Sequence, residues 1–160
     1  DLYLLLTPCH YDHTGGAQEV RRQYGCAIVA HQLDAVYLEN GDNRVTAASW
    51  YGTRMKPLAI DYKIGGSKET IKIGSGEISA YHCPGHSPGS LVYLVTLENQ
   101  KILFGQDVHG PLDPSLLSNR KDYIRSLKFM MGLKADILCE GHFGIYKGSD
   151  NINKFIQSFL

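Results

Sequence analysis

The chain has 160 residues, of which 43% are hydrophobic, so it can bury one modest core and is expected to form a single domain over residues 1–160. Sixteen basic and sixteen acidic residues give a formal net charge of zero, which argues against a nucleic acid partner, since phosphates favour a basic face. No apolar run reaches the ~18 residues of a membrane span, and the four cysteines lack the spacing of a disulfide framework or a zinc knuckle. These features predict a cytoplasmic protein with reduced thiols and no membrane partner; formation of a homo-oligomer is left open.

The first predicted strand leads directly into a segment rich in metal-binding side chains. Residues 2–6 are apolar, and the segment that follows reads Thr7-Pro8-Cys9-His10-Tyr11-Asp12-His13-Thr14-Gly15-Gly16. His10, Asp12 and His13 offer the imidazole nitrogens and the carboxylate that zinc and related divalent ions accept as ligands. The proline resists helix formation and the two glycines permit a turn, so we expect these three side chains to project from a loop. A polar surface turn that carries two histidines is the alternative interpretation.

Helices and strands are predicted to alternate after this segment, which favours an α/β arrangement of layers. Thr14 can cap a helix that runs to about Tyr24, with Ala17, Val20 and Tyr24 on one face. A buried strand is predicted at 26–30 and a second helix at 32–39. Apolar residues recur at helical spacing in the second helix: Leu33, Val36 and Tyr37.

Residues 40–66 are predicted to form a long loop with a turn at 41–43 and a short helical piece at 47–51. Long ordered loops in compact domains are often binding elements. Trp50, Tyr51 and Arg54 are therefore candidates to line a substrate pocket. Packing of the two aromatic rings onto the core, with the arginine in solvent, is an equally weighted alternative.

The second half of the chain is predicted to be rich in strands. Its elements are a hairpin of strands at 70–73 and 77–81, strands at 91–96 and 102–104, an amphipathic helix at 122–132, a final strand at 137–139 and a last helix at 151–159. Three of these strands lead into a candidate ligand, namely His86, Asp107 and His142. If they leave the sheet in the same direction as the first strand, all the candidate ligands converge on one rim.

Together these motifs resemble those of the metallo-β-lactamase superfamily of metallohydrolases, in particular its glyoxalase II-like branch. The first motif of that family reads His-x-His-x-Asp-His, and residues 8–13 match it except at Pro8. The Pro-Gly-His-Ser-Pro-Gly turn around His86, the single Asp107 and the late Gly141-His142 pair match the remaining motifs in order. The resemblance implies an α/β (α+β) fold of the αββα sandwich type, with metals at the edge between the two sheets. In the family several strands and a helix precede the first motif, so we expect this domain to be N-terminally truncated.

The resemblance also implies how the metal ligands are shared. The first site would use His10 and His86; the second would use Asp12, His13 and His142; and Asp107 would bridge the two. Pro8 offers no side-chain ligand in place of the family's first histidine, which would weaken the first site. We therefore expect one or two Zn²⁺ ions per chain, with iron as the alternative metal. Cys9 points away from positions 8 and 10 in an extended chain and is not expected to replace the missing histidine.

The predicted activity is hydrolysis of an ester, thioester or lactone of a small molecule by metal-bound hydroxide. Asp12 and Asp107 would orient the hydroxide. His109, two residues beyond Asp107, is the candidate to donate a proton or a hydrogen bond to the substrate, with a packing role as the alternative. His82 is expected to be structural and His31 non-functional.

Two other functions are compatible with the same scaffold. One is an iron-dependent redox enzyme, and the other is a non-catalytic metal-binding relative with a decayed first site. Flavodiiron proteins carry a glutamate where this chain has His10, and persulfide dioxygenases depend on the histidine that Pro8 replaces. Both differences argue against redox chemistry, while hydrolytic turnover would distinguish a hydrolase from a non-catalytic relative.

Overall fold

The computed structural model describes all 160 residues and contains two β-sheets. The first sheet has three parallel strands, β1 (Tyr3–Leu5), β2 (Ala27–His31) and β3 (Tyr62–Ile64). The second sheet has six strands in chain order: β4 (Lys68–Ile73), β5 (Gly76–His82), β6 (Leu91–Leu97), β7 (Gln100–Phe104), β8 (Ile137–Glu140) and β9 (Gly144–Lys147).

Five α-helices and two short 3-10 turns connect these strands. The helices are α1 (Tyr11–Thr14), α2 (Ala17–Tyr24), α3 (Gln32–Asn40), α4 (Arg120–Gly132) and α5 (Ser149–Gln157). The 3-10 turns are Ala48–Tyr51 and Pro114–Leu116. No helix combines the length and the apolar composition that crossing a membrane would need.

Three separate apolar clusters bind these elements into four layers. Along β2, Ile28 belongs to the cluster beneath α2 and α3, whereas its neighbour Val29 belongs to the cluster between the two sheets. The side chains of a strand alternate between its faces, so β2 contributes to both clusters. On the far side, Leu103 of β7 packs with Leu127 of α4 and Ile156 of α5. The order is helix, sheet, sheet, helix, which confirms the predicted αββα sandwich.

The strand directions explain why the candidate ligands meet at one edge. β5 is antiparallel to β6, and β6 is antiparallel to β7, so β5 and β7 run the same way. β8 is parallel to β7. The C-terminal ends of these three strands therefore lie at the same edge of the six-stranded sheet, which is the condition under which their ligands converge.

The buried face of α3 is not the one that Leu33 and Val36, at helical spacing, would favour. Leu33 and Val36 are 45% and 46% exposed, whereas Asp34, Ala35 and Leu38 are buried. The helix is rotated from the orientation that its apolar residues alone would favour because the carboxylate of Asp34 has hydrogen-bond partners in the protein interior. A buried carboxylate is tolerated only when its oxygens are satisfied in this way.

The start of the metal-binding segment also differs from the prediction. Asp12 and His13 lie in the single-turn helix α1 and do not project from a loop, because the chain turns into helix directly after His10. Thr14 does not cap a helix: its hydroxyl donates to the carbonyl of His10 at 3.0 Å from within α1. The next helix starts after Gly16, and Tyr24 at its end is exposed and does not share the buried face of Ala17.

Two short strands were missed. β3 lies within the segment predicted to be a loop, and β9 follows the strand predicted to be the last. They have three and four residues, too few for a periodic pattern to emerge from the sequence. Each is defined by its pairing with a neighbour, β3 in parallel with β2 and β9 antiparallel to β8.

Candidate metal centre

The structure brings all six predicted ligands together at one edge of the sandwich. They come from the segment after β1 and from the ends of β5, β7 and β8: His10, Asp12, His13, His86, Asp107 and His142. Their nitrogen and oxygen atoms form two groups that share the carboxylate of Asp107. Four separate segments of the chain thus supply one cluster.

The larger group has the spacing of a tetrahedral metal site. His13 Nε2 lies 3.0 Å from Asp107 Oδ1 and 3.5 Å from Asp12 Oδ2, and His142 Nε2 lies 3.1 Å from Asp12 Oδ2. The two ring nitrogens are 3.2 Å apart. Ligands about 2.0–2.2 Å from a zinc ion in tetrahedral geometry would be separated by about 3.3–3.6 Å, slightly more than most of these contacts, so these four side chains fit a divalent metal after shifts of a few tenths of an ångström.

The smaller group consists of two buried histidines and the shared carboxylate. His10 Nδ1 lies 2.9 Å from His86 Nε2, which is 3.1 Å from Asp107 Oδ2. His86 Nδ1 donates to the carbonyl of Pro111 at 2.7 Å, so the neutral ring presents the lone pair of Nε2 to the carboxylate. Two lone pairs at this distance repel each other unless the ring is protonated or a cation lies between them. This second group therefore also fits a metal, although Pro8 adds no ligand to it.

The electrostatics of the cluster follow from burial and from the charge of Asp107. Burial, together with the neighbouring His86, lowers the pKa of His10 to about 3, so the ring is neutral and able to bind a metal. Burial would raise the pKa of Asp107, but its close contacts with His13 and His86 hold it well below its ordinary value. Burial likewise acts to lower the pKa of His13, yet the bond to Asp107 and its charge prevail and raise it.

Gly141 allows the end of β8 to approach the cluster. A Cβ atom at this position would lie 2.4 Å from Asp107 Oδ1 and 3.1 Å from the ring of His13. Any larger residue would therefore displace the carboxylate shared by the two groups. The glycine before His142 has a steric role that the sequence motif alone does not explain.

Comparisons with known proteins identify the family. The sequence pattern of the Metallo-beta-lactamase superfamily matches residues 2–142. The chain belongs to this superfamily. It is 26% identical over 181 residues to the acyl-coenzyme A thioesterase MBLAC2 of Gallus gallus, which covers 99% of the chain and 62% of that protein. It is also 27% identical over 104 residues to the hydroxyacylglutathione hydrolase of Nitrobacter winogradskyi, which covers 65% of the chain and 32% of that protein.

A solved structure supports the same assignment. The BLEG-1 B3 metallo-beta-lactamase is 25% identical and matches with a TM-score of 0.77 over 91% of this chain and 71% of that one. The resemblance predicted from the motifs is therefore confirmed: the protein is a metallo-beta-lactamase superfamily member with hydrolase relatives. The fold implies that a divalent metal binds, and the two groups supply candidate ligands. This chain spans 62% of the length of MBLAC2.

Beside the ligands of this superfamily domain, the structure reveals a buried carboxylate that the sequence reasoning missed. The side chain of Glu140 accepts from the backbone N–H groups of His142 at 2.6 Å and Phe143 at 2.7 Å, and it lies 2.8 Å from His109 Nδ1. Burial would raise the pKa of Glu140, but the bonds from Phe143, His109 and His142 lower it below its ordinary value. A charged residue at the end of a buried strand, one position before a Gly-His pair, was the available signal.

A second supporting carboxylate, also missed, belongs to Asp34. Its oxygens accept from the hydroxyl of Ser87 and from the backbone N–H of Gly89, both at 2.6 Å. Burial raises the pKa of Asp34, and these two bonds partly offset that effect. The residues on either side of His86 are thereby tied to the start of α3. Nothing in the local sequence distinguishes Asp34 from an ordinary helix-surface aspartate.

The cluster opens into a cleft of about 270 Å³ with apolar walls. Besides the ligands, its lining comprises Ala47, Trp50, Tyr51, His109, Pro111 and Leu116. No lysine or arginine lines it. Trp50 and Tyr51 thus lie where the sequence placed a substrate pocket, and both are about half exposed. Arg54 does not line this cleft. It lines a different surface depression, together with Tyr11 and Met55.

The remaining candidates lie outside the cluster. Cys9 is fully buried with its thiol directed at the carbonyl of Val45, as expected of a residue that does not replace the missing ligand. His82 bonds the carbonyl of Pro88 at 2.8 Å and stacks on His31 with ring centroids 3.9 Å apart. His31 also accepts from the N–H of Leu33 at the start of α3. These two histidines are structural contacts behind the turn that carries His86.

Proposed function

We propose that this protein is a metal-dependent hydrolase of a small-molecule thioester, with one or two zinc ions held by the two ligand groups. The observation that carries the proposal is the convergence of six ligand side chains in two groups that share Asp107, beside a cleft with apolar walls. The thioester is favoured among ester, thioester and lactone substrates because the relative matched over 99% of the chain is named an acyl-coenzyme A thioesterase.

The composition of the cleft supports a small, uncharged acyl group near the reacting atoms. The lining contains the rings of Trp50 and Tyr51 together with Leu116, and no lysine or arginine. A phosphodiester at this position would lack a cationic side chain as a partner. An acyl chain, by contrast, would cover apolar surface that is otherwise exposed to water. A nucleic acid substrate is disfavoured for the same reason.

Each polar side chain of the cleft has a distinct role in this proposal. Bound metal would polarise the scissile carbonyl and lower the pKa of a water molecule towards ~7. Asp12 and Asp107 would accept hydrogen bonds from the attacking water and orient it. His109 Nδ1 is engaged by Glu140, which leaves Nε2 as the nitrogen free to contact substrate. With its Nδ1–H donated to Glu140, the ring carries a proton on Nε2 only as the imidazolium; in that form His109 would give the Nε2 proton to the departing sulfur and become neutral, with Glu140 fixing the orientation of the ring.

The test combines metal analysis with turnover. The purified protein is loaded with zinc, its metal content is measured by elemental mass spectrometry, and hydrolysis is followed for butyryl-coenzyme A, p-nitrophenyl acetate and a γ-lactone. We expect one or two zinc ions per chain and fastest turnover of the thioester, abolished by a chelator and restored by zinc. A zinc-loaded protein that cleaves none of the three would support the non-catalytic alternative. Tightly bound iron with oxygen uptake would support the redox alternative.

A further inference from the structure

Asp34 is a buried carboxylate that the proposed hydrolysis does not use. It is 1% exposed and lies in the first turn of α3, outside the cleft. Burying a charged carboxylate is costly unless its oxygens are hydrogen bonded and the resulting contacts are useful. Oδ2 accepts from the hydroxyl of Ser87 and Oδ1 accepts from the N–H of Gly89, so the two oxygens engage two positions of the same turn. That turn carries His86.

The turn is closed by a short chain of hydrogen bonds that ends on Asp34. The hydroxyls of Ser87 and Ser90 are 2.7 Å apart, and Ser90 Oγ accepts from the N–H of Ser87 at 3.1 Å. Because Ser87 donates its only hydroxyl proton to Asp34, it accepts from Ser90. Every hydroxyl of the turn is thus satisfied, which fixes the backbone on the C-terminal side of His86.

Close packing places the helix directly against this turn. A Cβ atom on Gly89 would lie 2.6 Å from the backbone nitrogen of Asp34 and 2.8 Å from its carboxyl carbon. The turn therefore approaches α3 as closely as a residue without a side chain permits. Small movements of α3 would consequently be transmitted to His86.

The helix that carries Asp34 also shares an apolar cluster with the segment that carries the other histidine of the smaller group. Cys9, the residue before His10, is fully buried in the cluster that contains Ala35 and Leu38 of α3. The helix whose carboxylate binds the turn after His86 therefore belongs to the same cluster as the segment before His10. Those two rings are held with His10 Nδ1 and His86 Nε2 only 2.9 Å apart.

We propose that Asp34 is a positioning residue for the first metal site, where it fixes His86 relative to His10. This inference rests on the proposed function, because it requires the cluster to bind metal. The first site has two histidines and the shared Asp107 but no ligand from Pro8, so its affinity depends on how accurately those three side chains are held. A ligand set with one member fewer tolerates less misalignment of the others.

The test compares Asp34→Asn with a matched aspartate elsewhere in the chain. Asparagine presents an N–H₂ group to one of the two donors, so either Ser87 or Gly89 loses its acceptor. The control is Asp42→Asn, because Asp42 also accepts two backbone N–H bonds, from Arg44 at 2.9 Å and Val45 at 2.8 Å, but touches no ligand. Zinc affinity is measured by competition with a chromophoric chelator, and unfolding is followed by calorimetry on the same metal-free samples.

We expect Asp34→Asn to lower the affinity for one of the two zinc ions by about 10–100-fold, the range seen when a residue supporting a metal ligand is changed. The affinity for the other zinc ion should be unchanged. To assign the weakened equivalent, the change is repeated in the double variant His13→Ala/His142→Ala, which leaves the second group only Asp12 and the shared Asp107; there the remaining equivalent, bound at the first site, should weaken by the same factor. Asp42→Asn should leave both affinities unchanged even if it lowers the unfolding temperature.

Unchanged affinity for both equivalents in Asp34→Asn, with or without a lower unfolding temperature, would overturn the proposal and leave Asp34 a structural residue. If Asp34→Asn does not fold, Ser87→Ala decides the question, because it removes only the hydroxyl bound to Oδ2 and should weaken the same equivalent. A parent protein that binds no zinc would instead overturn the proposed function itself, and this is measured before any variant.

Discussion

The two halves of the metal cluster differ in burial and in the way their side chains are held. His10 and His86 are 3% and 1% exposed, while the side chains of Asp12, His13 and His142 are 22%, 17% and 40% exposed. The buried half has two ligands of its own and the exposed half has three. The half with fewer ligands is therefore the one enclosed by the protein interior.

This difference indicates two ways of building a metal site. In the buried half, neighbouring residues fix the positions of the ligands, since His86 donates a hydrogen bond to Pro111 and its turn is hydrogen bonded to Asp34. In the exposed half, the number of ligands is larger and one carboxylate, Glu140, holds the backbone at His142. We therefore expect the exposed half to bind metal more tightly and the buried half to be more sensitive to changes behind the ligands.

The largest effect is expected from Asp107→Ala, because its carboxylate belongs to both halves. Its loss would remove the shared ligand and leave Asp12 as the one remaining carboxylate ligand beside four histidines. We expect hydrolysis to fall by about a thousandfold or more, which corresponds to several kcal/mol of lost transition-state stabilisation, and both zinc equivalents to weaken. Turnover of a thioester and chelator competition are the measurements.

The matched control for this prediction is Asp150→Ala, the same substitution at an exposed position of α5. It should leave both turnover and zinc content unchanged. If Asp107→Ala kept parental turnover and lost only one equivalent, the two halves would not share a ligand. The two halves would then be two independent metal sites.

A smaller and one-sided effect is expected from Glu140→Gln. In the glutamate, one oxygen accepts from both Phe143 and His142 and the other accepts from His109. The glutamine amide either loses both backbone bonds or keeps them as weaker, uncharged bonds and loses the bond from His109, so the backbone that carries His142 loses support in both cases. We expect about 10–100-fold weaker binding of the equivalent in the exposed half, with a similar loss of turnover, and little change in the buried half.

The control for Glu140→Gln is Glu39→Gln, which removes only a surface ion pair with Lys63. Such pairs contribute little, so zinc binding should be unaffected. Equal weakening of both equivalents in Glu140→Gln would contradict the separation of the two halves. That result would mean that the support behind one site is transmitted to the other through Asp107.

The metal ligands could be predicted from the sequence because their residue types are chemically distinctive and each follows a predicted strand. Parallel directions of β5, β7 and β8 then bring His86, Asp107 and His142 to one edge, a consequence of topology. The supporting carboxylates of Asp34 and Glu140 could not be predicted in this way. Asp34 resembles a surface residue of an amphipathic helix until the turn that it contacts, more than fifty positions away, is known.

The same limit explains the errors in the local structure. Leu33 and Val36 suggested the buried face of α3, but the tertiary contact of Asp34 decided its rotation. The strand β3 has only three residues and depends on pairing with β2. In each case an interaction between distant segments outweighed the local pattern.

The smallest effect is expected from Pro8→His, which tests whether ligand number limits the buried half. In the family pattern this position supplies the first histidine, so the change would add a third imidazole beside His10 and His86. We expect the affinity for zinc at the first site to rise by about tenfold, a gain of about 1.4 kcal/mol. The gain is limited because Pro8 is buried and the new ring must fit among neighbours that are already packed.

Pro8→Ala, which removes the proline ring without adding a ligand, is the matched control. Tighter binding in Pro8→His alone would mean that the buried half lacks a ligand but is otherwise correctly built. Equal affinity in both variants would mean that the framework around His10 and His86, and not the number of ligands, sets the strength of that site.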